Sequence, residues 1–124
     1  MVKEEYVTFE TAKLLKEKGF DEECWCYYHK QKLEHYFRKV SNKGWTTSGN
    51  ISSPTQQMAC RWLREIHNLC VAPYAAAYRY GFTIDKADTG SGIGNEYDFY
   101  PEDEFETWEE ACEAGILYCL KNLL

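Results

Sequence analysis

"SPTQQMACRWLREIHNL", residues 53–69, decides the fold: it reads as one helix with a start, a stripe and a stop, set between stretches that read as strands. Ser53 precedes Gln56 by three residues with Pro54 between. Ser53 is therefore expected to cap a backbone N–H and Gln56 to reach back, with Pro54 at the first helical position, where its missing donor costs nothing. Met58, Trp62, Ile66 and Leu69 recur at helical spacing, with Ala59 and Leu63 beside them, which predicts the buried side. Arg61 can pair with Glu65 one turn on. The polar side of the helix, Arg61 and Arg64 included, reads as a solvated face rather than a recognition surface.

Two other segments carry helix-start chemistry. Thr8 opens a helix over about residues 8–18, which stops at Gly19 in a left-handed cap that folds Phe20 back on Leu15. Thr107 and Glu110 form a capping box before "WEEACEAGILYCLKNLL". In that last helix Trp108, Cys112, Ile116, Cys119, Leu120 and Leu123 make the stripe, and Ala111 and Gly115 admit a close neighbour. Between the helices the period shortens. "CWCYYH" (24–29) and "EHYFRKV" (34–40) predict a hairpin around the polar "KQKL". "LCVAPY" (69–74) and "YGFTID" (80–85) predict a second, with Pro73 marking an edge strand, and "EYDFY" (96–100) a fifth strand. The order α-β-β-α-β-β-(β)-α implies one α+β domain over residues 1–124. Its two layers are a mostly antiparallel sheet of four to five strands and three packing helices.

A chain of 124 residues, 16% aromatic, has the large side chains to build a core, since a chain of this size buries roughly two thirds of its unfolded surface. Charges in "MVKEEYVTFE" interrupt what a secretory signal would keep apolar, and no run approaches a membrane span, so a soluble cytoplasmic protein is expected. The six cysteines lie in apolar stretches, where reduced thiols pack as small hydrophobes. The net charge of −6 is uneven: residues 1–86 hold 13 Lys/Arg against 10 Asp/Glu, and residues 87–124 hold 1 against 10.

"TFETAKLLKEKGFDEECWCYY" (8–28), "SPTQQMACRWLREIHNL", "YGFTI" (80–84) and "FETWEEACEAGILYCL" (105–120) resemble, in order and spacing, a group of small proteins encoded by phages and prophages of gut Bacteroides-type bacteria. The likeness covers about three quarters of the chain. It rests on a Thr-begun helix ending in Lys-x-x-Gly-Phe-Asp-Glu, a cysteine- and aromatic-bearing strand, the Pro-to-Trp-to-Arg helix and the closing Glu-Ala helix. The "PYAAAYRY" (73–80) and "KADTGSGIGNEYD" (86–98) segments depart from it. The resemblance implies a phage or prophage product acting in the bacterial cytoplasm, and it carries no functional residue across.

Several constellations bear on chemistry. Cys24, Cys26, His67 and Cys70 are the residue types of a zinc site, but their spacing matches no known knuckle, so packed thiols and a helix-end histidine are the plainer expectation. Cys60 or Cys70 beside His67 is the local pairing for nucleophilic catalysis. No nucleophile elbow, P-loop or zincin motif accompanies it, and we expect no catalytic group, metal or cofactor. "TGSGIG" (89–94) is followed by acidic residues where a phosphate loop would open a helix, and so predicts a turn.

Lys30, Lys32, Arg38, Lys39 and Lys43 surround Trp25, Tyr27, Tyr28, Tyr36 and Phe37 in the first hairpin. That mixture suits stacking and phosphate contact, although alternation should turn half of the rings inward. Glu102, Asp103, Glu104 and Glu106 belong to a block of ten carboxylates without Lys or Arg between Asp88 and Glu113. The block reads as charge at a helix start or as a phosphate mimic. The leading expectation is a non-enzymatic domain that binds a protein partner through exposed aromatics and a charged face. An acidic decoy of a host nucleic-acid-binding or defence protein, and a sheet-based binder of RNA or single-stranded DNA, are the alternatives.

Overall fold

The computed structural model describes residues 2–45, 48–92 and 104–124. Among them three helices, α1 (Phe9–Glu17), α2 (Gln56–His67) and α3 (Trp108–Tyr118), alternate with five strands. The strands are β1 (Cys24–His29), β2 (Lys32–Val40), β3 (Ile51–Ser53), β4 (Leu69–Ala75) and β5 (Tyr80–Lys86). The chain is an α+β domain of antiparallel strands and three helices, as expected. Its strands divide between two sheets, β2-β1-β3 and β4-β5. The stretch 96–100, read as a strand, lies outside the described residues. Among the described residues the fifth strand is β3, which pairs antiparallel with β1 through Cys26, Tyr27 and Tyr28.

The helix ends follow their capping chemistry. Thr8 Oγ1 accepts from Thr11 N, and at the far end Gly19 (φ 95°) donates to Lys16 O at 3.1 Å while Phe20 N donates to Leu15 O at 2.9 Å. That is the paired closure a left-handed glycine permits. Thr107 Oγ1 accepts from Glu110 N at 3.0 Å, and Glu110 Oε2 reaches back to Glu106 N at 3.0 Å. For α2 the expected cap is corrected: Thr55, not Ser53, accepts from Met58 N at 3.1 Å. Ser53 is instead claimed by β3, and Pro54 O accepts from Val7 N at 3.1 Å, holding the segment extended for two residues more. Gln56, freed from the box, sends Nε2 to Glu109 O and Glu113 Oε1 on α3.

Asn68, in the left-handed region at φ 59°, ends α2 and turns the chain into β4. α2 packs on β4, α3 on β4 and β5, and α1 on β3. Leu15, Phe20, Trp62, Leu63, Ile84, Ile116 and Leu120 form the continuous core, with Phe20 edge-on to Trp62 at 5.4 Å. Gly115 lets α3 sit directly on the β4–β5 pair: a Cβ there would stand 2.5 Å from Val71 Cγ1.

Three stripe residues depart from expectation. Trp62 is buried at 6% exposure, but Trp108, the first residue of α3, is 48% exposed; the helix meets Val71 of β4 and Phe82 of β5 at Gly115, further along. Ile66 is 64% exposed and Met58 is also exposed; the buried side of α2 is Gln56, Ala59, Trp62 and Leu63. No helix among the described residues is long and apolar enough to cross a membrane.

Candidate functional site

The first hairpin turns through Lys30 and Gln31, both left-handed at φ 50° and 65°, the two-residue turn whose twist matches its strands. Beyond it β1 and β2 stay in register from His29↔Lys32 to Cys26↔His35, and pairing resumes only at Cys24↔Val40. Tyr36–Lys39 on β2 therefore stand against Trp25 alone on β1. Such a bulge breaks the ladder and re-aims the side chains it carries, and here these are two aromatics and two cations.

The rings gather around it. Tyr27 lies edge-on to Tyr36 at 5.6 Å and 4.9 Å from Trp45, while Trp45 is edge-on to Tyr36 at 5.1 Å. Trp45 comes from the short 3-10 turn 42–45 and is fixed by its indole N–H, which donates to Ser52 Oγ at 3.0 Å. Buried Asn42 anchors that turn, donating to Phe20 O and accepting from Ser52 N. Asp21 Oδ1 accepts from Lys43 N at 2.9 Å, which holds the Asp21 carboxyl below its ordinary value. Phe37 abuts Tyr36 at 4.4 Å yet is 77% exposed. The Arg38 guanidinium lies 5.9 Å from the Tyr36 ring and 6.0 Å from Phe37, and Lys39 Nζ lies 5.8 Å from Trp25, itself stacked on His35.

Of the five hairpin aromatics singled out from sequence, Tyr28 alone is buried, its hydroxyl donating to Val7 O at 2.7 Å. The alternation argument sent too many rings inward because the bulge, and a β2 that is an edge strand among the described residues, suspend it. Trp45 was missed, since nothing local ties residue 45 to Tyr36 nine residues upstream or to Tyr27 across the hairpin. Lys30 lies in the turn, and Lys32 pairs loosely with Glu34 at 3.7 Å. From Cys24 to Trp45 there are five Lys/Arg and one carboxylate.

The other candidates do not converge. Cys24 and Cys26 share the inward face of β1, but no group of three or more His, Cys, Asp or Glu suited to a metal forms among the described residues. Burial pushes the Cys24 and Cys119 thiols up to about 12. His67 packs edge-on to Trp62 at 4.6 Å, and its Nε2 has no partner among the described residues. The sulfur nearest Cys60 is Cys112 on α3, at 3.6 Å, rather than a histidine nitrogen. Each of the two cysteines sits on its helix's inner side, a pairing visible only once the helices are placed together.

In "TGSGIG" the described part is a turn: Gly90 N donates to Lys86 O and Lys86 N to Ser91 O. Arg61 pairs with Glu65 at 2.6 Å. Of the acidic set, Glu104 and Glu106 are exposed, whereas Glu102 and Asp103 lie outside the described residues. No family model matches the chain, and neither the curated proteins nor the solved structures provide a match.

Proposed function

We propose that the protein is an interaction domain, of phage or prophage origin, that docks a protein partner, without acting on it chemically, through the Tyr36–Lys39 bulge and the rings around it. The observation that carries this reading is the clustering of Tyr27, Tyr36, Phe37, Trp45 and Arg38, with Phe37 and Arg38 exposed. Tyr, Trp and Arg dominate binding energy at interfaces because they bring large, rigid area with a polar handle. The broken ladder disfavours simple strand addition along β2, so recognition runs through side chains. The local excess of cations suits a partner surface that offers an apolar pocket rimmed by carboxylates.

A photo-crosslinking residue at position 37, and another at exposed Lys13 on α1, test this in the cells that make the protein. A protein species captured from 37, absent from 13 and lost on Arg38→Glu supports the reading; equal capture from both positions, or none, overturns it. A second reading, single-stranded nucleic acid, is favoured by the two cations beside the rings. Quenching of tryptophan fluorescence by labelled oligonucleotides, weakening steeply with salt, would replace the first reading with the second.

A further inference from the structure

The α2–α3 junction holds a thiol pair that the docking surface does not use. Cys60 Sγ and Cys112 Sγ stand 3.6 Å apart although their residues are 52 apart in sequence. Both open on a cleft of about 620 Å³ between the segment 2–5, α2, Pro73 of β4 and the start of α3, with the exposed Trp108 indole among its lining. The two sulfurs are inequivalent. Cys60 is half-buried and Cys112 is buried.

Electrostatics follow the same division. The Cys112 S–H and then the Arg64 guanidinium favour the Cys60 thiolate and hold it below the ordinary thiol value; burial and, more weakly, Glu113 oppose them. Cys112 is pushed up, because it keeps the shared proton, is buried and faces Glu113 and Glu109. Lys3, Glu4 and Glu5 of the N-terminal segment also border the cleft. Two thiols in contact at the wall of a cleft, one of which ionises first, are what thiol–disulfide exchange requires.

We propose that Cys60 and Cys112 form a dithiol exchange site that reduces low-molecular-weight disulfides entering this cleft. The Cys60 thiolate attacks one sulfur of the substrate, whose S–S bond breaks; one thiolate leaves and takes up a proton, and Cys60 carries the other half as a mixed disulfide. Cys112 then yields its proton to solvent and attacks Cys60 Sγ. The mixed disulfide breaks, the second thiol leaves, and a Cys60–Cys112 bond forms. Two electrons pass from the protein to the substrate, and the two thiol protons of the reduced pair are balanced by those on the two released thiols. A low-molecular-weight thiol in excess reverses the sequence. The sulfurs need to close from 3.6 Å to a bond of about 2.05 Å.

Oxidised glutathione is the probe, used with the folded wild-type chain at neutral pH, followed by an alkylating quench, intact mass and a non-reducing peptide map. The expected product has lost two hydrogens, joins the Cys60 and Cys112 peptides and has released two equivalents of reduced glutathione per chain. Cys112→Ser blocks the second step and should accumulate a glutathione adduct at Cys60. Arg64→Gln should slow adduct formation several-fold and move the pH at which its rate levels off upward, a signature that a merely structural arginine would not give. The wild-type map alone suffices to decide against the site: a bond or adduct at other cysteines, or no reaction where the urea-unfolded chain reacts fully, overturns it. Neither outcome bears on the hairpin's partner.

Discussion

Glu113 joins three parts of the molecule through one carboxylate. Its Oε2 accepts from Thr8 N and Thr8 Oγ1, each at 3.0 Å, and from Thr11 Oγ1, while its Oε1 accepts from Gln56 Nε2 at 3.0 Å. Hydrogen bonds to a charged group contribute more than neutral ones, and removing the acceptor leaves several donors unmet. Glu113→Ala is expected to lose about 2–4 kcal/mol in urea unfolding, and Glu113→Gln clearly less. The two tryptophans of the helix stripes should separate in the same assay. Trp62→Ala, which empties the space beside Phe20, is expected to cost about 3–5 kcal/mol, whereas Trp108→Ala should stay under about 1 kcal/mol.

Asp21 gives a pH test at the residue scale. Its folded pKa lies below the ordinary value, so the contribution is complete above that value and disappears as pH falls through the lowered one. Wild type should therefore exceed Asp21→Asn in urea midpoint at neutral pH, and the gap should close in strong acid. Periodicity made Trp62 legible as core. It could not separate Trp108 from it, because a stripe gives direction around a helix and says nothing of where the covering strands end.

Among elements, the hairpin turn and the α3 seat are the clearest places to intervene. Lys30 and Gln31 both occupy a conformation that side chains disfavour, so Gln31→Gly should stabilise the protein by about 0.5–1 kcal/mol by thermal or urea melting. Gly115→Ala should do the opposite. Alanine is the better helix former, but its methyl would press on Val71 and Phe82, and overpacking of that kind costs about 1–3 kcal/mol. Val71→Ala in the same chain should recover part of the loss, which a double-mutant cycle measures.

The capping signals at Thr8, Gly19 and Thr107 were readable because each is a local competition between one side chain and a few backbone donors. Ser53 against Thr55 was not. The contest there is decided by pairing with β1 and by Pro54 O receiving Val7 N, both from distant sequence. The three-residue β3 is too short to show a period of two at all.

For the molecule as a whole, the thiol pair ties oxidation to stability. A Cys60–Cys112 bond would close a loop of 52 residues, and the chain-entropy relation puts its stabilisation at about 4 kcal/mol. A reducible rise in melting temperature after glutathione disulfide treatment is the expected outcome; an unchanged or lowered value would mean that α2 and α3 strain to accommodate the bond. The sequence made the α+β class legible, since helical and strand periods alternate cleanly along it. Division of the strands into two sheets was not legible, because pairing between strands distant in sequence is set by tertiary packing and not by local period. The candidate surface was half readable: composition placed rings and cations in the first hairpin, but only the register shift from Cys26 to Cys24 explains why they face outward.

The Glu113 carboxylate also sets a timetable for synthesis. Its partners at Thr11 and Thr8 precede it by 102 and 105 residues. At ribosomal rates of about 5–20 residues per second, the start of the first helix emerges roughly 5–20 s before the group that completes it. During that interval the nascent N-terminal helix and hairpin must wait with their apolar sides open, so chaperone capture at the exit tunnel should be heaviest on chains that stop short of residue 113.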